Sequence, residues 1–268
     1  MQNNKFVLQL SVSMAAALLA ACGGQQGLVD QKDGPGGTPV PADMPDASPR
    51  WEPRSFYGNP ETYRVNGKRY RTLDSADGFR ERGVASWYGT KFHGQRTSSG
   101  EPYDMYAMTA AHKSLPLPTY VRVTNLENGG TVVLRVNDRG PFHDNRIIDL
   151  SYAAATKLGI AQNGTGLVEV HAITPDTAQD AGAEVPPPSP APELFIQVGA
   201  FSSRGNAEAL KSTLEGHEIA GVGIYDGTSD GSTIYRVRVG PIEDVDSADS
   251  VYARLGSLGL GGYRLVID

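Results

Sequence analysis

The sequence predicts a mainly β chain in two modules, a closed β-barrel followed by a small α+β unit. Three observations predict it. From Gly83 to Ile173 the apolar residues fall in short runs that alternate with polar ones, the period of half-buried strands. Many short strands with one or two small helices close into a barrel. Residues 175–192 then break the pattern with an acidic stretch followed by Pro186-Pro187-Pro188-Ser189-Pro190, a semi-rigid spacer that separates the modules. From 193 to 268 the apolar period switches between 2 and 3.6 in the order β-α-β-β-α-β, the split βαβ arrangement of ferredoxin-like sheets.

The elements follow in chain order. Residues 1–21 combine Lys5, an apolar run from Phe6 to Ala21 and small residues before Cys22, the layout of a signal peptide. Leu19-Ala20-Ala21-Cys22-Gly23 resembles the lipobox of bacterial lipoproteins, which implies cleavage before Cys22, acylation of that residue (palmitate among the chains) and, with Gly rather than Asp at 23, the outer membrane. A plain secretory signal with an incidental cysteine is the alternative. Residues 22–50 have almost no large apolar side chains and read as a flexible tether. Within 51–82, two alternating runs flank Asn66-Gly67, a dipeptide suited to a type I′ turn, and predict a β-hairpin extension.

The barrel spans 83–174. Val84–Tyr88, Tyr120–Asn125, Thr131–Val136, Arg146–Leu150 and Gly166–Ile173 read as strands, and Ser151 caps a short helix that Gly159 ends. In 193–268, Leu194–Phe201, Ile219–Tyr225, Thr233–Val239 and Tyr263–Ile267 read as strands. Asn206–Leu214 and Ser247–Leu258 read as helices with one apolar face each.

Composition excludes several functions. Residues 51–174 carry 15 Lys and Arg against 12 Asp and Glu, and residues 193–268 carry 6 against 11, so neither module has the basic footprint of a nucleic-acid binder. The single cysteine forbids an internal disulfide. No His, Cys and carboxylate spacing suggests a metal site, and no glycine-rich phosphate loop or orderable Ser-His-Asp set is present; no cofactor is expected.

The unusual polar residues gather at the ends of apolar runs in the barrel. Thr97-Ser98-Ser99-Gly100-Glu101, Thr109-Ala110-Ala111-His112 and Arg135-Val136-Asn137-Asp138-Arg139-Gly140-Pro141 are the stretches concerned. Asp138 follows a strand beside apolar residues, where its carboxyl suits a general acid. Asn137-Asp138-Arg139-Gly140 is equally good turn chemistry, and the residues alone leave both open. Trp87 and Tyr88 stack on a ligand or pack in the core. Asp149, two residues before Ser151, reads as a buried structural partner.

In the C-terminal unit, alternation points Ile196, Val198, Val237 and Val239 at the helices. Phe195, Gln197, Phe201, Arg236 and Arg238 then fall on the open face, which is free to bind a ligand.

These stretches, with the lipobox, carry a resemblance. The central one resembles rare lipoprotein A, a bacterial envelope lipoprotein family with a double-psi β-barrel. The runs Phe195-Ile196-Gln197-Val198-Gly199-Ala200-Phe201 and Tyr235-Arg236-Val237-Arg238-Val239-Gly240-Pro241 resemble a SPOR domain. The resemblance covers roughly 60–174 and 193–268. It implies a lytic transglycosylase of peptidoglycan acting on peptide-stripped glycan, with a domain that binds the same strands at the division septum. Septal amidases or divisome proteins are the implied partners.

By that resemblance Asp138 is the catalytic carboxyl and Glu101 positions the muramoyl unit. His112 orients Asp138 or a sugar hydroxyl, or is simply structural. Two other functions stay open: a non-catalytic peptidoglycan-binding protein, and an inverting hydrolase in which Glu101 activates water.

Overall fold

A computed structural model describes residues 33–41, 43–143, 145–174, 193–229 and 231–268. The expected signal peptide, Cys22, the first part of the tether and the 175–192 spacer lie outside the described residues.

The hairpin forms where expected. Strands β1 (Thr62–Val65) and β2 (Lys68–Arg71) pair in register, Tyr63 opposite Tyr70. Asn66 and Gly67 take φ of 49° and 79°, the left-handed pair that a type I′ turn requires and that Asn and Gly tolerate.

Six strands close the barrel: β3 (Arg80–Tyr88), β4 (Thr109–His112), β5 (Thr119–Asn125), β6 (Thr131–Asp138), β7 (Arg146–Ser151) and β8 (Thr165–Ile173). Their order around the barrel is β3-β7-β4-β6-β5-β8, with β3 parallel to β7 and β4 parallel to β6. This is the double-psi barrel the sequence led one to expect. Alternate residues of β5, β6 and β8 fill its interior, among them Val121, Val123, Leu134, Val136, Val168 and Val170, all fully buried. Each such side chain contributes roughly 1.5–3 kcal/mol, so a one-residue slip that turned them outward would forfeit the core. Ser151 Oγ accepts from the Ala154 N–H at 3.1 Å and starts helix α1 (Tyr152–Lys157). Strand β4 is the element that alternation does not reveal: four residues, two of them alanine, carry too little pattern.

The tether reading needs correction from Asp33 onward. Asp33 Oδ1 accepts from the N–H groups of Gly89 and Lys91 at 3.0 and 3.1 Å, and the Ala47 N–H donates to the Val133 carbonyl at 3.0 Å. Lys157 Nζ donates to Asp46 and to the Met44 carbonyl, each at 2.7 Å. Residues 33–50 are therefore laid along the barrel. Backbone and carboxylate bonds, with Met44 and Ala47 packed on the barrel core, hold them, and so few apolar residues give composition little to read.

The C-terminal sheet contains β9 (Leu194–Phe201), β10 (Val222–Ser229), β11 (Ser232–Ile242) and β12 (Arg264–Ile267) in the order β10-β11-β9-β12. Helices α2 (Arg204–Gly216) and α3 (Val245–Ser257) follow β9 and β11 and bury Ala207, Leu214, Ala248 and Leu255 against Ile196, Val237 and Val239. This is the ferredoxin-like arrangement, and it leaves the opposite sheet face uncovered by helices.

Candidate functional site

The site is built where one loop is stitched to the end of β6. Residues 97–101 turn tightly: the Gly100 N–H donates to the Thr97 carbonyl, and the Thr97 N–H to the Glu101 carbonyl, at 2.9 and 2.8 Å. Gly100 has φ of 98°, a region that disfavours residues with a Cβ. The turn then meets β6 residue by residue. Ser98 bonds Asp138, the Ser99 N–H donates to the Asn137 carbonyl at 3.3 Å, and Glu101 receives bonds from Asn137 and Arg135.

Asp138 is held by one oxygen. Its Oδ1 accepts from the Ser98 N–H (2.7 Å), Ser98 Oγ (2.6 Å) and the Arg139 N–H (2.7 Å). Among the described residues Oδ2 receives none, so it is the oxygen left for a ligand. The Arg139 side chain locks the neighbouring backbone, with Nε donating to the Gly58 carbonyl at 2.8 Å and Nη2 to Asn59 Oδ1 at 3.2 Å. Oδ1 accepts from the next residue and from the remote Ser98, not from the N–H two residues on that an Asx-turn would use, so its bonds tie β6 to the 97–101 loop.

Glu101 belongs to a charge network that sequence spacing gives no hint of. Arg135 Nη1 donates to Glu101 Oε2 at 2.8 Å, and Asn137 Nδ2 donates to the same oxygen at 2.9 Å. The rest of the Arg135 fork grips Glu52, Nε to Oε1 at 3.0 Å and Nη2 to Oε2 at 2.8 Å, while Tyr120 donates to Glu52 Oε1 at 2.6 Å. Arg135's bond holds the Glu52 carboxyl at about 2, well below its ordinary value. Burial pushes Glu101 up, but the bonds from Arg135 and Asn137 outweigh it and leave its carboxyl below the usual range. Glu101 is a standing carboxylate whose other oxygen can accept from a hydroxyl.

His112 does not take the part expected of its ring. It is 1% exposed, and its Nδ1 accepts from the Ser114 and Leu115 N–H groups at 3.2 and 3.0 Å. That leaves the proton on Nε2, which faces Glu81 Oε2 at 3.4 Å. Burial lowers its pKa and favours the neutral ring. The ring therefore neither orients Asp138 nor reaches a sugar. Its backbone carbonyl instead accepts at 3.2 Å from Nη1 of Arg139, next in the chain to Asp138.

The aromatic expectations divide. Tyr88 is 9% exposed and stacked on Tyr103 at 4.0 Å between centroids, so its ring is core and cannot stack on a ligand. Burial raises its pKa, with Tyr103, Asp138 and Asp149 adding to the effect. Trp87 is partly buried against Tyr152, 5.4 Å between centroids. Asp149 takes the structural role expected of it. Ser86 Oγ donates to its Oδ1, and burial raises its pKa. Asp138 and Asp149 register on either side of Ala111, from β6 and β7. No group of three or more potential metal ligands occurs among the described residues.

On the C-terminal sheet, Gln197 lies opposite Arg238 in register, and both face away from the helices as expected. Arg238 Cζ lies 5.7 Å from the Phe195 ring centroid and 5.4 Å from that of Tyr225, and the guanidinium pairs with Asp268. Gln197 Oε1 and Arg238 Nε are buried and have no partner among the described residues. Arg236 registers with Ala200 on the same face and lies over Gly227.

Phe201 is on the other face. Between Val237 and Arg238 the partner strand advances from Gly199 to Gln197, so Val198 is an extra, bulged residue. The bulge reverses parity. Phe201 then packs with the helix-side core, against Gly199 and with Tyr235 opposite it, and is not part of the open face.

Comparisons with known proteins agree with this architecture. Residues 80–170 match the family model described as lytic transglycolase, and residues 191–265 match the SPOR domain model. The chain is 42% identical over 265 residues to the endolytic peptidoglycan transglycosylase RlpA of Vibrio cholerae, covering 96% of this chain and 94% of that protein. It is 40% identical over 276 residues to the protein of the same name from Pseudomonas aeruginosa strain UCBPP-PA14, covering 83% and 80%. Among solved structures, the RlpA SPOR domain of Pseudomonas aeruginosa matches at 36% identity and a TM-score of 0.26, over 27% of this chain and 96% of that one.

Proposed function

The chain belongs to the RlpA family of endolytic peptidoglycan transglycosylases, and on that premise we propose that it cuts peptide-stripped glycan strands at the division septum, leaving 1,6-anhydro ends. It is an enzyme with a lytic transglycosylase domain and a SPOR domain, a cell-envelope protein whose ligand is peptidoglycan.

The stitching of the 97–101 turn onto β6 supports the reading most, because it brings Glu101 and Asp138 to one junction and fixes both. Cleavage of a glycosidic bond needs a proton for the leaving oxygen and stabilisation of an oxocarbenium-like centre. Asp138, through Oδ2, donates that proton to the bridging oxygen as the C1–O bond breaks. The C6 hydroxyl of the same muramoyl unit then attacks C1, and its proton passes to Asp138, which returns to its starting state. One carboxyl thus serves as acid and base, and water takes no part. Glu101, held ionised, accepts a hydrogen bond from the muramoyl hydroxyl and aligns it with C1.

The C-terminal face supplies attachment. Gln197, Arg236 and Arg238 present an amide and two guanidinium groups to sugar hydroxyls and lactyl carboxylates. An acylated Cys22 anchors the chain in the outer membrane, and the spacer lets the SPOR domain search for stripped strands. Deleting 193–268 should abolish septal enrichment of a fluorescent fusion while cleavage of stripped glycan persists. Unchanged septal enrichment after the deletion removes the targeting role.

A further inference from the structure

The most exposed large apolar side chains of the described residues include a contiguous pair, Phe56 at 92% and Tyr57 at 58%. Their rings meet edge to face, 4.9 Å between centroids and 87° between planes. Single exposed apolar residues are common, but two adjoining aromatic rings left in water on a fixed loop are an uncompensated surface.

The loop that carries them is fixed by polar bonds at its base. Ser55 Oγ donates to the Tyr57 carbonyl at 2.6 Å, and the Ser55 N–H to the Leu117 carbonyl at 2.9 Å. Asn59 clamps the other end, its Nδ2 donating to the Leu117 and Ser55 carbonyls at 2.8 and 3.1 Å while its Oδ1 accepts from the Leu117 N–H at 2.8 Å. Ordering of these backbone groups is settled before any ligand arrives, which lowers the cost of binding.

Its position is equally specific. The Gly58 carbonyl accepts from Arg139 Nε, and Gly58 lies so close to the Ser98 carbonyl that a Cβ there would sit 2.7 Å from it. The Tyr57 ring rests against Gly100, 3.3 Å from where a Cβ on that residue would be. Ser98 and Arg139 hold Asp138, and Gly100 precedes Glu101, so the aromatic pair adjoins both segments that carry the reacting carboxylates. Phe56 and Tyr57 also lie outside residues 80–170, the part of the chain matched as the catalytic domain.

We propose that Phe56 and Tyr57 form a sugar-stacking subsite that takes a pyranose ring of the glycan strand next to the bond being cut. The C–H faces of a pyranose are apolar and weakly positive, and they complement the negative faces of aromatic rings. A hydroxyl-rich, uncharged ring explains a site of two aromatics bordered by backbone carbonyls. The proposal rests on Asp138 and Glu101 being the cleavage site.

The test uses the mature full-length protein and amidase-stripped glycan, with anhydro ends counted over a range of glycan concentrations. Combining Phe56→Ala with Tyr57→Ala should raise KM about tenfold and leave kcat within about twofold, since the pair contributes binding and not chemistry. Phe56→Trp should keep the wild-type KM. An unchanged KM in the double variant, or a loss confined to kcat, overturns the subsite while leaving the cleavage reading intact. Undiminished cleavage by Asp138→Asn overturns the cleavage reading and is distinguishable, because it does not depend on either aromatic residue.

Discussion

The end of β6 and the open face of the C-terminal sheet both gather charged and amide side chains, yet they treat them differently. At the barrel, Asp138 Oδ1 takes three donors, and Glu101 Oε2 takes two from Arg135 and Asn137. On the sheet, Arg238 lies near two aromatic rings with Asp268 as its partner, and the Gln197 amide oxygen next to it has no partner among the described residues. On the proposed reading, a bond-breaking step tolerates little error in the position of a carboxyl group, and donors from distant parts of the chain fix one oxygen of each carboxylate. On the same reading, a face that holds a long, repetitive polymer needs spare hydrogen-bonding capacity more than one fixed geometry. The proposed difference is between positioning and attachment, and three substitutions probe it.

The largest effect of the three is expected at Glu101. Glu101→Gln keeps the shape and removes the charge that Arg135 and Asn137 hold, so kcat on stripped glycan should fall about 10²-fold with KM little changed. A rise in KM alone would move Glu101 to the attachment side of the comparison.

Glu52 comes next, through stability. Its carboxyl sits at about 2 when folded, below the ordinary 4.5, because of Arg135. A lowered folded value contributes stability above the unfolded value, and that contribution is lost as pH falls from about 5 towards 2. Glu52→Gln should therefore cost about 1–2 kcal/mol at pH 7 and progressively less below pH 4.5, read by urea unfolding at each pH. A cost that does not shrink in acid would show that Glu52 acts by packing and not by its charge.

The smallest effect belongs to the sheet. Gln197→Ala should weaken binding of the full-length protein to stripped glycan by about fivefold, the worth of one neutral hydrogen-bonding group, and leave the cleavage rate at saturating glycan unchanged. A fall in that rate would mean that the sheet face does more than attach.

The same two regions differ in how far they were legible before the structure. The hairpin at Asn66-Gly67, the barrel strands with strong alternation and the capped helix at Ser151 follow from local pattern, and they form as read. Asp138 and Glu101 were singled out by the family resemblance, since the residues alone explain Asp138 equally well as turn chemistry. Their meeting was not legible, because it depends on a loop and a strand 34 to 41 residues apart closing on each other. Glu52 was missed for the same reason, since its partner Arg135 is 83 residues away. His112 was left open between an orienting and a structural role because strand pairing, which buries its ring and turns its carbonyl towards Arg139, is a tertiary fact. Phe201 was misplaced by one bulged residue, Val198, which alternation cannot detect and which reverses every side chain beyond it. The packing of residues 33–50 was invisible because it rests on backbone and carboxylate bonds in a stretch of poor hydrophobicity.

The central claim is that Asp138 serves as both acid and base without water. The most direct measurement incubates the mature protein and its Asp138→Asn variant with stripped glycan and identifies the new ends by mass spectrometry. The account predicts 1,6-anhydro-muramic ends from the wild-type chain and, from the variant, a loss of about 10³-fold or more with glycan binding retained. Reducing ends from the wild-type chain, or anhydro ends formed at an undiminished rate by Asp138→Asn, would contradict it.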